Sequence, residues 1–154
     1  LAKGETITMF NTHHASPGLA ARLVELGADS IFVGCEHGAW SMEDVRNVGQ
    51  VIRGAGGAAI VRPDSHQRSL LIRYLNMGAD GLMVPMVETA EQAQDVVDAV
   101  RYGCYADHQK RLIVCMVETL QAIDNIEAMA AVDPRKRAKI RARAIICSTP
   151  PAAA

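Results

Sequence analysis

The chain has 154 residues, of which 49% are hydrophobic and 21% are charged, and 16 Lys and Arg against 17 Asp and Glu leave a net charge of −1. This composition is typical of one globular domain with a hydrophobic core, and the balanced charge predicts neither a nucleic-acid nor a membrane partner. No apolar run reaches the roughly 20 residues of a membrane span, and the four cysteines form no CxxC pair, so we expect a cytoplasmic protein with free thiols.

Short apolar runs and amphipathic segments alternate along the first 132 residues. The predicted strands are 5–10, 29–34, 58–62, 80–85 and 111–118. Each is followed by a predicted helix, and these helices are 17–26, 41–56, 67–77, 89–102 and 119–132. Ser16, Ser41 and Thr89 stand where helix N-caps are expected, and Gly27 and Gly78 stand where helices end.

The alternation predicts an α/β fold with a parallel sheet, because the strands are apolar on both faces and helices must cover them. A doubly wound sheet and a (β/α)₈ TIM-type barrel both satisfy this pattern. The repeated phrases ELGADSIFV and NMGADGLMV favour the barrel, and the first strand is not followed by the GxGxxG of a dinucleotide fold.

The predicted barrel is incomplete, because a full barrel needs about 250 residues. We expect residues 1–132 to supply about five of the eight βα units, with 143–148 as a possible sixth strand. Residues 133–154 form a predicted divergent tail that is basic and rich in Pro and Ala. Its basic run, PRKRAKIRAR, lacks interleaved aromatic residues and is interpreted as a solvated helix face rather than a nucleic-acid patch.

Polar residues follow the predicted strands at the edge where parallel α/β folds place their active sites. Glu36 and His37 end the second strand, Arg62 ends the third, Pro85 ends the fourth and Glu118 ends the fifth. An acid, an imidazole, a guanidinium and a second acid are therefore expected to converge on one rim. The sequence predicts a functional site there.

These residue types suit the chemistry of an enolate. Glu118 is a hard oxygen ligand for Mg²⁺ or a similar divalent ion, which would polarise a 2-oxo acid as a Lewis acid. Arg62 would place positive charge at the developing oxyanion, and His37 would move the proton. No lysine ends any of these strands, which disfavours a Schiff-base mechanism.

The motifs EHG, VRP, VPMV and VET, in this order between about Ser16 and Val132, resemble the HpcH/HpaI aldolase family. These are class II, metal-dependent pyruvate aldolases such as 4-hydroxy-2-oxoheptanedioate aldolase and 2-dehydro-3-deoxyglucarate aldolase. The resemblance implies a barrel, usually oligomeric, that cleaves a 4-hydroxy-2-oxo acid to pyruvate and an aldehyde. It also implies a divalent metal cofactor (Mg²⁺, Mn²⁺ or Co²⁺), a small 2-oxo acid substrate and a homo-oligomer.

The resemblance assigns roles to individual residues. His37 matches the family's catalytic histidine, and Arg62 matches the arginine that contacts pyruvate and the enolate oxygen. Glu118 matches the first metal-ligand glutamate, and Pro85 of the VPMV motif is expected to line the substrate. Glu36 is expected to support the site through hydrogen bonds.

The chain also departs from the family pattern. Gly34 and Met116 replace residues that are usually an acid and a Gln, and Asn76 stands where the family usually has a carboxylate. An amide can hold a histidine but cannot stabilise its imidazolium by charge, so Asn76 is expected in a supporting role only. The aspartate that serves as the second metal ligand, in a GPxDLS-like motif, is missing.

Two alternatives to aldol cleavage remain open for the function. One is an oxaloacetate-type decarboxylase, which needs the same enolate and differs in its leaving group. Another is a catalytically impaired barrel fragment that serves as a subunit or interaction module, as the missing second ligand suggests. The incomplete barrel itself fits a fragment, a truncated product with a foreign tail or a chain completed by a partner, and the composition of the tail favours truncation.

Overall fold

The structure is a computed structural model that describes residues 6–132 and the backbone of residues 145–146. Its strands are β1 (Met9–Asn11), β2 (Ser30–Gly34), β3 (Ala58–Arg62), β4 (Gly81–Val84), β5 (Leu112–Val117) and β6 (Ile145–Ile146). Its helices are α1 (Pro17–Glu25), α2 (Met42–Gly54), α3 (Arg68–Met77), α4 (Ala90–Gly103), α5 (Leu120–Asp124) and α6 (Ile126–Ala130). All neighbouring strands pair in parallel, in chain order from β1 to β6. The predicted parallel α/β architecture is confirmed.

The predicted helix ends are confirmed by their hydrogen bonds. The Ser16 side chain accepts from the third amide beyond it, and Ser41 and Thr89 each form a reciprocal capping box. Gly27 and Gly78 follow α1 and α3 at φ of 103° and 108°, a left-handed conformation that costs glycine little.

The sheet has two apolar faces, as the alternation of side chains along a strand requires. The face covered by the helices carries the main core, which includes Ile31, Val61, Leu82 and Val117. We call the opposite side of the sheet the inner face. Its buried residues are Ile60, Met83, Val114 and Met116, with Phe32, Ala58 and Leu112 packed against them. Residues two apart along a strand share a face, so the inner face leads directly to Glu36, Arg62, Pro85 and Glu118.

The repeated GAD sequence has a structural role that we call the GAD clasp. Asp29 Oδ2 accepts hydrogen bonds from the Thr8 amide at 2.7 Å and the Thr8 hydroxyl at 2.9 Å. Asp80 Oδ2 accepts in the same way from the Ala59 amide at 3.0 Å. Each aspartate thus joins the start of its own strand to the preceding strand. The hydrogen bond from the Thr8 amide also lowers the pKa of Asp29.

The structure corrects the last predicted helix. Residues 119–132 do not form one helix, because α5 and α6 are separated at Asn125. The Asn125 side-chain amide donates to the Glu88 carbonyl at 2.9 Å, a tertiary contact that sequence periodicity does not reveal. β1 is also shorter than predicted and begins at Met9.

Other predictions have mixed outcomes. The sixth strand exists as β6, paired with the end of β5, while the rest of the predicted 133–154 tail lies outside the described residues. Cys35, Cys104 and Cys115 are free thiols, and Cys147 lies outside the described residues. Among the described helices, none combines the length and apolar character needed to cross a membrane.

Candidate active site

The EHG turn directs Glu36 towards β3. The Cys35 amide donates to the Arg62 carbonyl at 2.9 Å, so the β2–β3 ladder extends past the end of β2. The Gly38 amide then donates back to the Gly34 carbonyl at 3.1 Å. A Cβ atom at Gly38 would lie 2.5 Å from that carbonyl oxygen, so only glycine fits this tight turn.

Glu36 and Arg62 form an ion pair on the inner face. Arg62 Nε lies 3.0 Å from Glu36 Oε2, and both side chains are 18% exposed. Neither atom has a hydrogen bond of good geometry within the described residues, so the attraction is ionic rather than directional. The Arg62 Cζ atom lies 5.7 Å from the centroid of the Phe32 ring, which supports the guanidinium from below.

His37 lies beside this pair and faces solvent. Its Nε2 atom is 3.7 Å from Glu36 Oε2, too long for a hydrogen bond, and its side chain is 78% exposed. One carboxylate therefore contacts the guanidinium and stands next to the imidazole. The structure brings together three of the predicted site residues, with Glu36 at the centre.

Glu118 forms a second group at the same edge of the sheet. Its Oε2 accepts a hydrogen bond from the Met86 amide at 2.9 Å. Met86 has a φ of 54°, which is rare for a residue other than glycine, and it follows the buried Pro85. Two strand spacings separate β5 from β3, or about 10 Å, so Glu118 and Arg62 lie at one edge without direct contact.

Asn76 is not brought to this site. It is exposed in the last turn of α3, which leads into the amino end of β4. That end of the sheet is opposite the edge where Glu36 and Glu118 lie. Within this chain, the predicted support of His37 by Asn76 is therefore not made, because a helix that returns along the sheet carries its last turn away from the site.

A buried thiol lies behind the site, on the helix-covered face. Burial raises the pKa of Cys35 to about 11, and burial likewise raises the pKa of Tyr74, with which Cys35 forms a hydrogen bond. Because the thiolate is the nucleophilic form, Cys35 is inert near neutral pH. The side chain next to Glu36 thus serves packing rather than covalent catalysis.

Comparisons with known proteins agree with this geometry. Residues 7–145 match the family described as HpcH/HpaI aldolase/citrate lyase. The chain belongs to this family.

The 4-hydroxy-2-oxovalerate aldolase of Novosphingobium aromaticivorans is 35% identical over 141 residues, which cover 77% of this chain and 54% of that protein. The 2-keto-3-deoxy-L-rhamnonate aldolase of Klebsiella pneumoniae subsp. pneumoniae is 35% identical over 102 residues, covering 66% and 38%. The chain therefore spans about half the length, or less, of these curated relatives.

The fold is also that of the family. A crystal structure of a HpcH/HpaI aldolase/citrate lyase family protein from Burkholderia cenocepacia J2315 superimposes with a TM-score of 0.75 at 22% identity. The superposition covers 83% of this chain and 61% of that one. The chain is thus part of a TIM-barrel-type fold, as the sequence predicted, and the family match continues past the predicted domain boundary at residue 132.

One residue of this rim escaped the sequence prediction. The tetrapeptide Met-Val-Glu-Thr occurs twice, at 86–89 and 116–119, and only the second copy supplied a predicted site residue. In the first copy, Glu88 accepts a hydrogen bond from the Thr119 hydroxyl at 2.8 Å. The repeat itself was the signal that could have identified Glu88.

The described residues do not by themselves fit the metal ion that the family resemblance implies. Glu118 offers one carboxylate, and its Oε2 already accepts from the Met86 amide. No group of three or more His, Cys, Asp or Glu side chains in the described part of the chain could hold a metal ion. A divalent ion needs further oxygen ligands, so the mechanism considered below uses no metal-bound step.

Proposed function

We propose that this chain acts in the reversible cleavage of a 4-hydroxy-2-oxo acid to pyruvate and an aldehyde. The observation that supports the proposal best is how the Arg62 guanidinium is held and which of its nitrogens are bonded. Its Nε is fixed beside Glu36, while no hydrogen bond joins its two terminal nitrogens to other described residues. A planar guanidinium held in this way can bind the carboxylate or keto oxygen of a 2-oxo acid.

The proposed reaction assigns one step to Arg62 and one to His37. The C4 hydroxyl loses a proton, the C3–C4 bond breaks, and the electron pair moves to the keto oxygen, where Arg62 stabilises the negative charge. A proton then adds to C3 and yields pyruvate. His37 is the proposed proton carrier, because its imidazole lies beside the Arg62 site, is open to solvent, and has ring nitrogens that can accept and donate a proton. Pro85 is proposed to line the substrate.

Deuterium exchange at the pyruvate methyl group tests this proposal. Pyruvate is incubated with the chain in D₂O, with Mg²⁺, Mn²⁺ or Co²⁺ or with chelator, and its mass is measured. We expect exchange at least about tenfold faster than with Arg62→Ala, since loss of an oxyanion contact costs at least this much. Arg46→Ala, which removes an exposed guanidinium from α2, is the matched control and should behave as wild type. Exchange no faster than with Arg62→Ala would reject the activity.

Two further measurements separate the remaining alternatives. A decarboxylase would release CO₂ from oxaloacetate faster than it cleaves any 4-hydroxy-2-oxo acid. The impaired-fragment alternative is favoured by the incomplete metal-ligand set, and calorimetric titration tests it, because one carboxylate should bind Mg²⁺ only weakly. Sub-micromolar binding would contradict that alternative. The proposed homo-oligomer is tested by the mass in solution.

A further inference from the structure

The two Met-Val-Glu-Thr turns are bonded to each other crosswise. Glu118, from the second turn, accepts a hydrogen bond from the Met86 amide of the first turn at 2.9 Å. Glu88, from the first turn, accepts one from the Thr119 hydroxyl of the second turn at 2.8 Å. Each glutamate thus accepts a hydrogen bond from the other copy of the tetrapeptide. We call this pair of bonds the turn interlock.

Further hydrogen bonds fix both halves of the interlock. Gln92 Oε1 accepts from the amides of Glu88 and Thr89, at 2.7 and 3.2 Å. The Asn125 side chain donates to the Glu88 carbonyl at 2.9 Å, and the Thr119 hydroxyl also accepts from the Ala122 amide at 3.1 Å. Glu88 is half-buried and is bonded through its amide, its carbonyl and its carboxylate, so its position is determined on three sides.

Glu118 lacks this support. It is exposed, and the Met86 amide is the hydrogen-bond donor that the described residues offer it. That donor belongs to a residue in the left-handed region, which persists only where its surroundings enforce it. Glu88 is two residues beyond Met86, and its carboxylate bonds to Thr119, the residue directly after Glu118. Glu88 therefore connects the turn that contains Met86 to the turn that contains Glu118.

We propose that Glu88 is a positioning residue that holds Glu118 at the rim through the Thr119 hydroxyl and the Met86 turn. This inference deepens the proposed function and rests on it for its catalytic part. The Glu88 Oε1 atom accepts a hydrogen bond from the Thr119 hydroxyl, and this bond is the one through which Glu88 orients the second turn. The bond needs an acceptor and not a charge, so glutamine can replace glutamate here.

Hydrogen exchange of the Met86 amide tests the interlock without substrate, by NMR on the ¹⁵N-labelled chain. In Glu88→Ala we expect this amide to exchange at least about tenfold faster, since the Met86 turn loses its anchor. Glu88→Gln should stay close to wild type. Glu91→Ala, which removes an exposed carboxylate three residues further along, in the first turn of α4, is the matched control. Thr119→Val, compared with Thr119→Ser, removes the same bond from the donor's side if Glu88→Ala does not fold.

Pyruvate exchange then tests the consequence for catalysis. On the premise that the Glu118 carboxylate also acts in the proposed reaction, as the family resemblance implies, its displacement by about 1 Å should lower kcat about 10- to 100-fold in Glu88→Ala, while KM stays within about twofold because Arg62 is unaffected. Glu88→Gln should restore kcat.

Three results would overturn the inference. These are wild-type Met86 exchange in Glu88→Ala, wild-type kcat in that variant, and a Glu88→Gln variant as impaired as Glu88→Ala, which would mean that the charge itself acts. If no variant, wild type included, exchanges pyruvate while Met86 still responds to Glu88→Ala, the proposed function fails and the interlock is supported.

Discussion

Removal of one partner of the Glu36–Arg62 pair should destabilise the chain at least as much as removal of both. At 3.0 Å and an effective dielectric constant of about 20, the Coulomb attraction is about 5.5 kcal/mol. The cost of desolvating two ions offsets most of this, so the net value of the pair is small. A lone charge left in place keeps its desolvation cost without the attraction. This cost is 3–5 kcal/mol for a fully buried pair, and we expect about 2–3 kcal/mol here because both side chains are 18% exposed.

A double-mutant cycle measures the effect. Glu36→Gln and Arg62→Met nearly preserve side-chain volume, and each should lower the free energy of unfolding by about 2–3 kcal/mol. The double variant should lose only about 2 kcal/mol, which gives a coupling energy of about 2–4 kcal/mol. Urea unfolding of the four proteins, monitored by circular dichroism, supplies the values. Additivity within about 0.5 kcal/mol would refute the reasoning, because it would mean that water already screens both charges.

Three other substitutions and one chemical modification test the packing and the ionisation of the fold. Gly81→Ala should lower the free energy of unfolding by about 1–3 kcal/mol, because its Cβ would lie 2.8 Å from a side chain of β5. Gly54→Ala, in a helix with open space around it, should instead stabilise by about 0.5–1 kcal/mol, and urea midpoints compare the two. Asp29→Asn should change the pH dependence of stability. The Thr8 amide lowers the pKa of Asp29 below 3.8, so the stability from this carboxylate is complete above pH 3.8 and is lost as the pH falls through the folded pKa. The difference between the wild-type and Asp29→Asn urea midpoints should therefore shrink below pH 3.8, and a constant difference would contradict the assignment. Cys35 should react with iodoacetamide at about pH 8 only in urea, since burial raises its pKa to about 11, and mass mapping of alkylated peptides would detect any native reaction.

Local patterns in the sequence predicted most of the fold. Ser16, Ser41 and Thr89 cap their helices as predicted, because capping depends on residues three positions apart. The convergence of Glu36 and Arg62 also followed from the sequence, since both stand at the carboxyl ends of neighbouring parallel strands. Local signals and strand order were sufficient for these features.

Contacts between distant residues were not predictable in the same way. At the break between α5 and α6, the Asn125 side chain bonds to the Glu88 carbonyl, 37 positions away, and the interlock joins residues that are 31 and 32 positions apart. The position of Asn76 within this chain, away from Glu36, could not be predicted for a related reason. A residue aligned with a family position carries no information about which end of the sheet its helix turn reaches, and that depends on the βα connection.

The GAD clasps affect which positions of the chain can accept substitutions during evolution. They hold β2 and β4 in alignment with the preceding strands at the end of the sheet opposite the candidate site. Because side chains alternate, a slip of β2 by one residue would turn Glu36 towards the helices and away from Arg62. Substitutions around the candidate site can therefore accumulate without disturbing this alignment, whereas loss of Asp29 or Asp80 would threaten it. The alignment of the strands is therefore maintained at one end of the sheet, while the side chains of the candidate site can vary at the other end.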